Sequence, residues 1–191
     1  MNIIISCHID TVFKDPFLRW DKGILKGALD NFACVLASGF IMKDLGEGVH
    51  IEWTEDEEMY MDGARCLAKK YSQEDTLFIV MDVTRRGLKW NRDLHFTVEN
   101  IHRVEARYIR KALLPLKGQY RILEKGGESE AWLYRDLGFT TIEIDIPVMG
   151  GLHSLDATTR LVDLEVTAEA IKLLIEFFKE KTLREIVESI A

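Results

Sequence analysis

Proline is scarce in this sequence, with three residues among 191, and no proline- or glycine-rich tract cuts the chain into segments. A single domain over residues 1–191 is therefore expected, because a chain of this length fills one core and not two comfortable ones. Cysteine is equally sparse: Cys7, Cys34 and Cys66 are odd in number and form no CxxC pair. This points to reduced thiols in a cytoplasmic protein. Blocks of basic residues are missing too. Lys and Arg number 25 against 32 Asp and Glu, for a net charge of −7, so no nucleic-acid partner is expected. No apolar run approaches the ~20 residues that cross a bilayer. Nor does the N-terminus carry the charged, apolar and cleavage-site regions of an export signal, so no membrane partner is expected.

What is present is an alternation of two periodicities. "NIIISC", "VHIEWT", "TLFIVMDV", "QYRILE" and "TTIEIDIPV" are rich in Ile, Val, Phe or Thr and read as strands. Between them, "NFACVLASGFIMKDL" places Phe32, Val35, Leu36 and Gly39 on one helical face. "GARCLAKKY", "ENIHRVEARYIRKALL" and "ESEAWLYRDLG" are also of helical period, and the chain closes on "TAEAIKLLIEFFKEK" and a short amphipathic "LREIVESI". "DLHFTVEN" suggests an added antiparallel edge strand. Such alternation predicts an α/β fold: a three-layer α/β/α sandwich around a mostly parallel mixed sheet.

In folds of that kind ligands gather at the carboxyl ends of the strands. Here those ends carry polar groups of one kind. His8 and Asp10 follow the first strand, Glu57 and Glu58 the second, Asp82 ends the third, and His153 follows the last. Asp30, in "KGALDN", adds another acid before the first long helix. Each has an ordinary explanation taken alone: a solvated histidine, an acidic turn, or a helix N-cap at Asp30. Cys7 has one as well, since neighbours on a strand face opposite ways and a core cysteine suffices.

Together they form a donor set. Imidazoles and carboxylates suit zinc, cobalt or manganese. Five such ligands hold two ions if one carboxylate bridges, and paired ions activate water and polarise a carbonyl. Adjacent Glu57 and Glu58 diverge on an extended segment, so one can bind metal while the other serves as general base.

These motifs, in this order, resemble the co-catalytic di-zinc exopeptidase superfamily, which groups zinc aminopeptidases with acetylornithine-deacetylase-like amidohydrolases. "HIDTV" resembles its first metal motif and "GALDN" its bridging-Asp motif, where a cis peptide commonly follows the Asp. "EDEEMYMDGA" is similar to the Glu-Glu motif of glutamyl aminopeptidase-like enzymes, "MDVT" to the fourth motif and "GGLHS" to the closing histidine. The resemblance implies a zinc-exopeptidase-like fold and two divalent metal ions, zinc foremost with cobalt or manganese as alternatives. His8, Asp30 and Asp82 would hold one ion, and Asp30, Glu58 and His153 the other. Glu57 would be the general base and Asp10 the carboxylate that orients His8.

With 19 residues between Asp10 and Asp30, and 70 between Asp82 and His153, a compact form without lid or dimerisation domain is expected. The leading expectation is an aminopeptidase acting on peptides. A deacylase of N-acyl amino acids and a non-catalytic metal- or peptide-binding relative stay open, as does a homo-oligomer. Among other residues, His50, His95 and His102 read as structural or solvated. Phe17 and Trp20 read as packing over the sheet, and Phe177 and Phe178 as a core stripe. Lys14, Arg85 and Arg86 are candidates for a substrate carboxylate, and Tyr60 and Tyr134 for an oxyanion.

Overall fold

The structure, a computed structural model, describes residues 1–85, 93–104, 106–123, 126–181 and 185. Its elements run β1 (Asn2–His8), β2 (Leu18–Asp21), β3 (Ile24–Gly27), α1 (Leu29–Gly39), β4 (Val49–Thr54), α2 (Asp62–Ala68) and β5 (Thr76–Thr84). Then follow β6 (Phe96–His102), α3 (Ala106–Ala112), β7 (Tyr120–Ile122), α4 (Glu130–Asp136), β8 (Thr140–Pro147), β9 (Thr158–Arg160) and α5 (Leu161–Lys179). Six strands form one sheet in the order β4-β1-β5-β8-β6-β7. Its pairs are parallel except β6 against β8, so the sheet is mixed and mostly parallel, as expected.

Strand alternation sends residues to two cores. Ile3, Ile5, Leu77, Ile79, Met81, Ile142, Ile144 and Ile146 pack with apolar residues of α1, α3 and α5 on one face. Ile4, Phe78 and Val80 pack with those of α2 and α4 on the other. Cys7 is fully buried in the first core, where burial and the nearby Glu130 carboxylate push its thiol up to about 12. It is a core cysteine, not a nucleophile.

Four expectations need correction. "DLHFTVEN" does form a strand antiparallel to β8, but β7 pairs along its far side and takes the edge. The strand also continues to His102, and the helix expected from Glu99 begins only at Ala106, because ladder pairing and burial hold residues 97–99 in the sheet. On α1 the buried face is Ala33, Cys34, Ala37 and Ser38, while Leu36 and Gly39 are exposed. Small side chains let the helix lie close to the sheet, which leaves the larger ones outside. Finally, "FLRWDKGILKG" is no plain connection. It is a β2–β3 hairpin whose turn residues Lys22 and Gly23 both have positive φ, the twist that a two-residue hairpin turn requires. Trp20 sits on its exposed side and does not pack over the main sheet.

β3 pairs with β9, so this small sheet joins the segment before Asp30 to the segment after His153. Apart from Glu185, the segment "LREIVESI" lies outside the described residues, as does Arg86. Among the described residues no helix is long and apolar enough to cross a membrane.

Candidate metal centre

β4, β1, β5 and β8 are neighbours in the sheet, and their carboxyl ends deliver the polar groups to one place. His8 closes β1 with its imidazole buried, on the face shared by Ile4 and Ser6. Asp82 comes from β5, where the Val83 N–H donates to its Oδ1 at 2.7 Å. Asp30 lies at the start of α1 with non-helical backbone angles and makes no cap bond, so it is not an N-cap. The bond to Asn31 is cis, as the motif implied. The Asn31 side chain donates to the Met81 carbonyl at 2.8 Å, and Cys34 donates to the Asp82 carbonyl at 3.0 Å, tying α1 to β5.

Glu57 and Glu58 lie on a loop between β4 and α2. Its backbone turns through positive φ at Asp56 and Met61. The Gly63 N–H donates to the Glu55 carbonyl at 3.1 Å, and a Cβ on Gly63 would fall 2.5 Å from that oxygen. The glycine of "DGA" is thus a packing requirement. Asp10 holds the same loop from the other side: its two oxygens accept the N–H groups of Glu57 and Glu58, each at 3.2 Å. That second task was not legible in the His-x-Asp spacing.

The groups converge. His8 Nε2 lies 3.3 Å from Asp30, 3.8 Å from Asp82 and 3.8 Å from Glu57. His153 Nε2 lies 3.3 Å from the other Asp30 oxygen and 3.2 Å from Glu58. His8 Nδ1 faces Asp10 at 3.4 Å, close enough for charge attraction but without hydrogen-bond alignment. His8–Asp30–Asp82 and Asp30–Glu58–His153 are each compact enough to hold one ion, as is His8–Glu57–Glu58. Asp30 belongs to the first two, one oxygen turned to each histidine.

Electrostatics match that geometry. Burial alone would lower the His8 imidazole, but Asp10, Asp30 and Asp82 raise it far above its usual value. Burial raises Glu57, and although His8 opposes this, Asp82, Glu58 and Asp30 bring it to about 8. Burial likewise raises Asp82 and Glu58, with Asp30 adding to both. Asp10 goes the other way: burial is outweighed by His8 and the two loop N–H groups, and it falls to about 2. Carboxylates so crowded are short of positive charge. His8 Nδ1 and one Glu58 oxygen are buried without a hydrogen-bond partner. A donor set of this charge and hardness fits divalent cations.

Beside these groups opens a cavity of about 720 Å³, lined by Glu57, Glu58, Asp82 and His153 and by Met59, Tyr60, Arg85 and others. Tyr60 is exposed on its wall. Tyr134 is not an oxyanion candidate: it is fully buried, stacked on Phe78, with its hydroxyl 3.1 Å from Ser6. Arg85 lines the cavity, whereas Lys14 does not. His95 ties to Asp163 at 2.9 Å, His50 is exposed beside Tyr71, and His102 ends β6.

Sequence reasoning missed five buried acids, among them Asp163 beside His95. Glu130, at the start of α4, accepts from Ser6 at 2.7 Å and from Thr54, next to His8. Glu99, Glu143 and Asp145 stand on β6 and β8 facing α4. The signal was available in the alternation of "IEIDI", where acids interrupt a strand in the middle of the sheet.

A family model for peptidase family M28 matches residues 1–177. The chain belongs to peptidase family M28. Solved structures of similar fold include the Pyrococcus horikoshii TET1 peptidase, which assembles into a tetrahedron or a large octahedral shell. It is 23% identical with a TM-score of 0.69, over 85% of this chain and 53% of that one. An aminopeptidase from the archaeon Desulfurococcus kamchatkensis is 19% identical with a TM-score of 0.70, over 92% of this chain and 54% of that one. Aminopeptidase PepT from Bacillus cereus is 11% identical with a TM-score of 0.66, over 94% of this chain and 81% of that one. These likenesses establish the fold. This M28 chain spans about half the length of the first two structures. No curated protein matches it.

Proposed function

We propose that residues 1–191 form a single catalytic domain of a metal-dependent aminopeptidase, with two divalent ions, zinc foremost and cobalt or manganese as alternatives. The observation that carries this reading is the sharing of Asp30 between two donor triads whose histidines approach it from opposite oxygens. His8, Asp30 and Asp82 would hold one ion, and Asp30, Glu58 and His153 the other. Divalent ions in such a cage would supply Lewis-acid polarisation of the scissile carbonyl and make water more acidic.

The chain's own groups do the rest. Glu57 projects into the cavity beside Glu58, and its carboxylate takes a proton from the attacking water and returns it to the leaving amine. Asp10 fixes the His8 ring and, through its two backbone contacts, the position of Glu57 and Glu58.

The test uses the metal-reconstituted protein with aminoacyl p-nitroanilides and with N-acetyl amino acids. Hydrolysis of the free-amine substrates, abolished by Glu57→Ala at unchanged metal content, is the expected result. Turnover of the N-acetyl compounds alone would favour a deacylase, and turnover of neither would end the hydrolytic reading.

A further inference from the structure

We propose that Asp145 and Glu143 form the floor of a subsite for a positively charged side chain, so that the enzyme acts preferentially on peptides beginning with lysine or arginine. This rests on the aminopeptidase reading above and names its substrate class.

Both acids line the same cavity as Glu57, Asp82 and His153, yet both are almost wholly buried, at 2% and 1% exposure. One Asp145 oxygen is buried without a hydrogen-bond donor, with the Glu99 carboxyl as its neighbour. Glu143 accepts from Asn100 and stands opposite Glu99 in the β6–β8 pair, and Glu99 also has an oxygen without a donor. Three acids gathered behind a cavity wall repel one another, and a cation among them would relieve that repulsion.

Their placement follows from strand register. Asp145 stands opposite Asp82 across the β5–β8 pair, and Glu143 stands opposite Val80, one pleat further from the strand ends. Neighbouring strands lie about 4.8 Å apart, and two residues span about 6.6 Å. The acids therefore begin one strand to the side of the metal-ligand candidate Asp82 and extend inward from there. A substrate whose carbonyl lies at the ion cluster can direct its first side chain along that line. The four-carbon stem of lysine covers such a span.

The walls suit an amphipathic occupant. Met59, Tyr60, Met61 and Leu152 line the cavity as apolar partners for an aliphatic stem. Arg65 and Arg85 also line it but are exposed, so the acids line the cavity at depth and the cations stand at its mouth.

Two readouts separate this inference from the activity it rests on. In the first, kcat/KM of the metal-reconstituted protein is compared for lysyl, arginyl and norleucyl p-nitroanilides, with Asp145→Asn and Glu143→Gln. In the second, calorimetry compares binding of L-lysinamide and L-norleucinamide, which needs no turnover. The expected result is a preference of at least tenfold for the basic substrates, carried mainly by KM. Each variant should lower the lysyl-to-norleucyl ratio at least tenfold, and lysinamide should bind tighter in an Asp145-dependent way.

A ratio near one in wild type overturns the inference, as does a variant that weakens both substrates equally, since the acids would then serve the α-ammonium or the fold. If no anilide is cleaved but lysinamide still binds through Asp145, the subsite stands and the hydrolytic reading falls. If norleucyl substrate is cleaved as well as lysyl and binding does not discriminate, the subsite falls alone. Melting curves of both isosteric variants check that the fold is retained.

Discussion

Gly27→Ala probes how tightly the segment before Asp30 is built. Gly27 has φ +136°, a backbone conformation that residues with a Cβ rarely adopt. A Cβ there would lie 1.9 Å from the Phe17 carbonyl oxygen and 2.9 Å from its carbon. No rotamer relieves a clash with backbone. The same oxygen accepts the Ala28 N–H at 3.0 Å, and the Gly27 N–H donates to Ala157 at 3.1 Å, so moving either strand breaks a bond. Backbone strain of about 1–3 kcal/mol adds to about 1–3 kcal/mol for the forced shift. For a chain of this size each kcal/mol lowers Tm by about 2–4 °C, so a fall on the order of 10 °C is expected. Gly23→Ala is the control. Gly23 also has positive φ, +81°, but a Cβ there meets nothing within 4 Å, so only the left-handed cost of about 1 kcal/mol applies. The assay is thermal melting of the metal-free proteins, with zinc titration of each. Gly27→Ala should also bind zinc more weakly, since Asp30 is three residues away. Equal Tm values for the two variants would refute the reasoning.

Three further perturbations probe other parts of the structure. Asp10→Asn removes one of two oxygens that hold the Glu57–Glu58 loop and weakens the charge facing His8, so metal affinity should fall about 10–100-fold, read by calorimetry; unchanged affinity would contradict the role. Asp163→Ala removes the buried acceptor that joins His95 on one side and Arg160 on the other, and a loss of about 3–5 kcal/mol in denaturant unfolding is expected; under about 1 kcal/mol would contradict it. Burial, the nearby Asp82 and Glu99 raise Glu143 from 4.5 to about 8, so between those values the folded chain holds a proton that the unfolded chain has lost. Stability therefore falls as pH rises through that window, by up to about 1.4 kcal/mol per pH unit for one proton. Glu143→Gln should flatten the slope of metal-free melting between pH 5 and 8, and an unchanged slope would contradict the assignment.

The parts of the site that were legible in the sequence are those where an apolar strand stops at a polar group. His8, Asp82 and His153 could be read because β1, β5 and β8 are buried runs whose carboxyl ends share one sheet edge. Asp30, at the start of α1, and the Glu57–Glu58 pair, on the loop after β4, entered by the same reading, and the motif order suggested their roles. The β2–β3 hairpin escaped because its strands are four residues each and half-exposed, too short for alternation to stand out. The α1 face was misread because a helix lying close to a sheet selects for small residues, and a reading by hydrophobic size favours the larger ones. The buried acids of β6 and β8 drew no attention in the sequence, because acids on a strand ordinarily face solvent. α4 packs against β6 and β8, and Glu143 and Asp145 are buried there.

The central claim is that one carboxylate, Asp30, joins two ion-binding triads in a hydrolytic centre. Titration of metal-stripped protein with zinc, read by calorimetry together with hydrolysis of an aminoacyl p-nitroanilide, tests it most directly. The account predicts two zinc ions per chain, activity rising with their binding, and loss of both ions and activity in Asp30→Ala. A wild-type chain that binds no zinc, or an Asp30→Ala chain that still binds two and turns over, would contradict it.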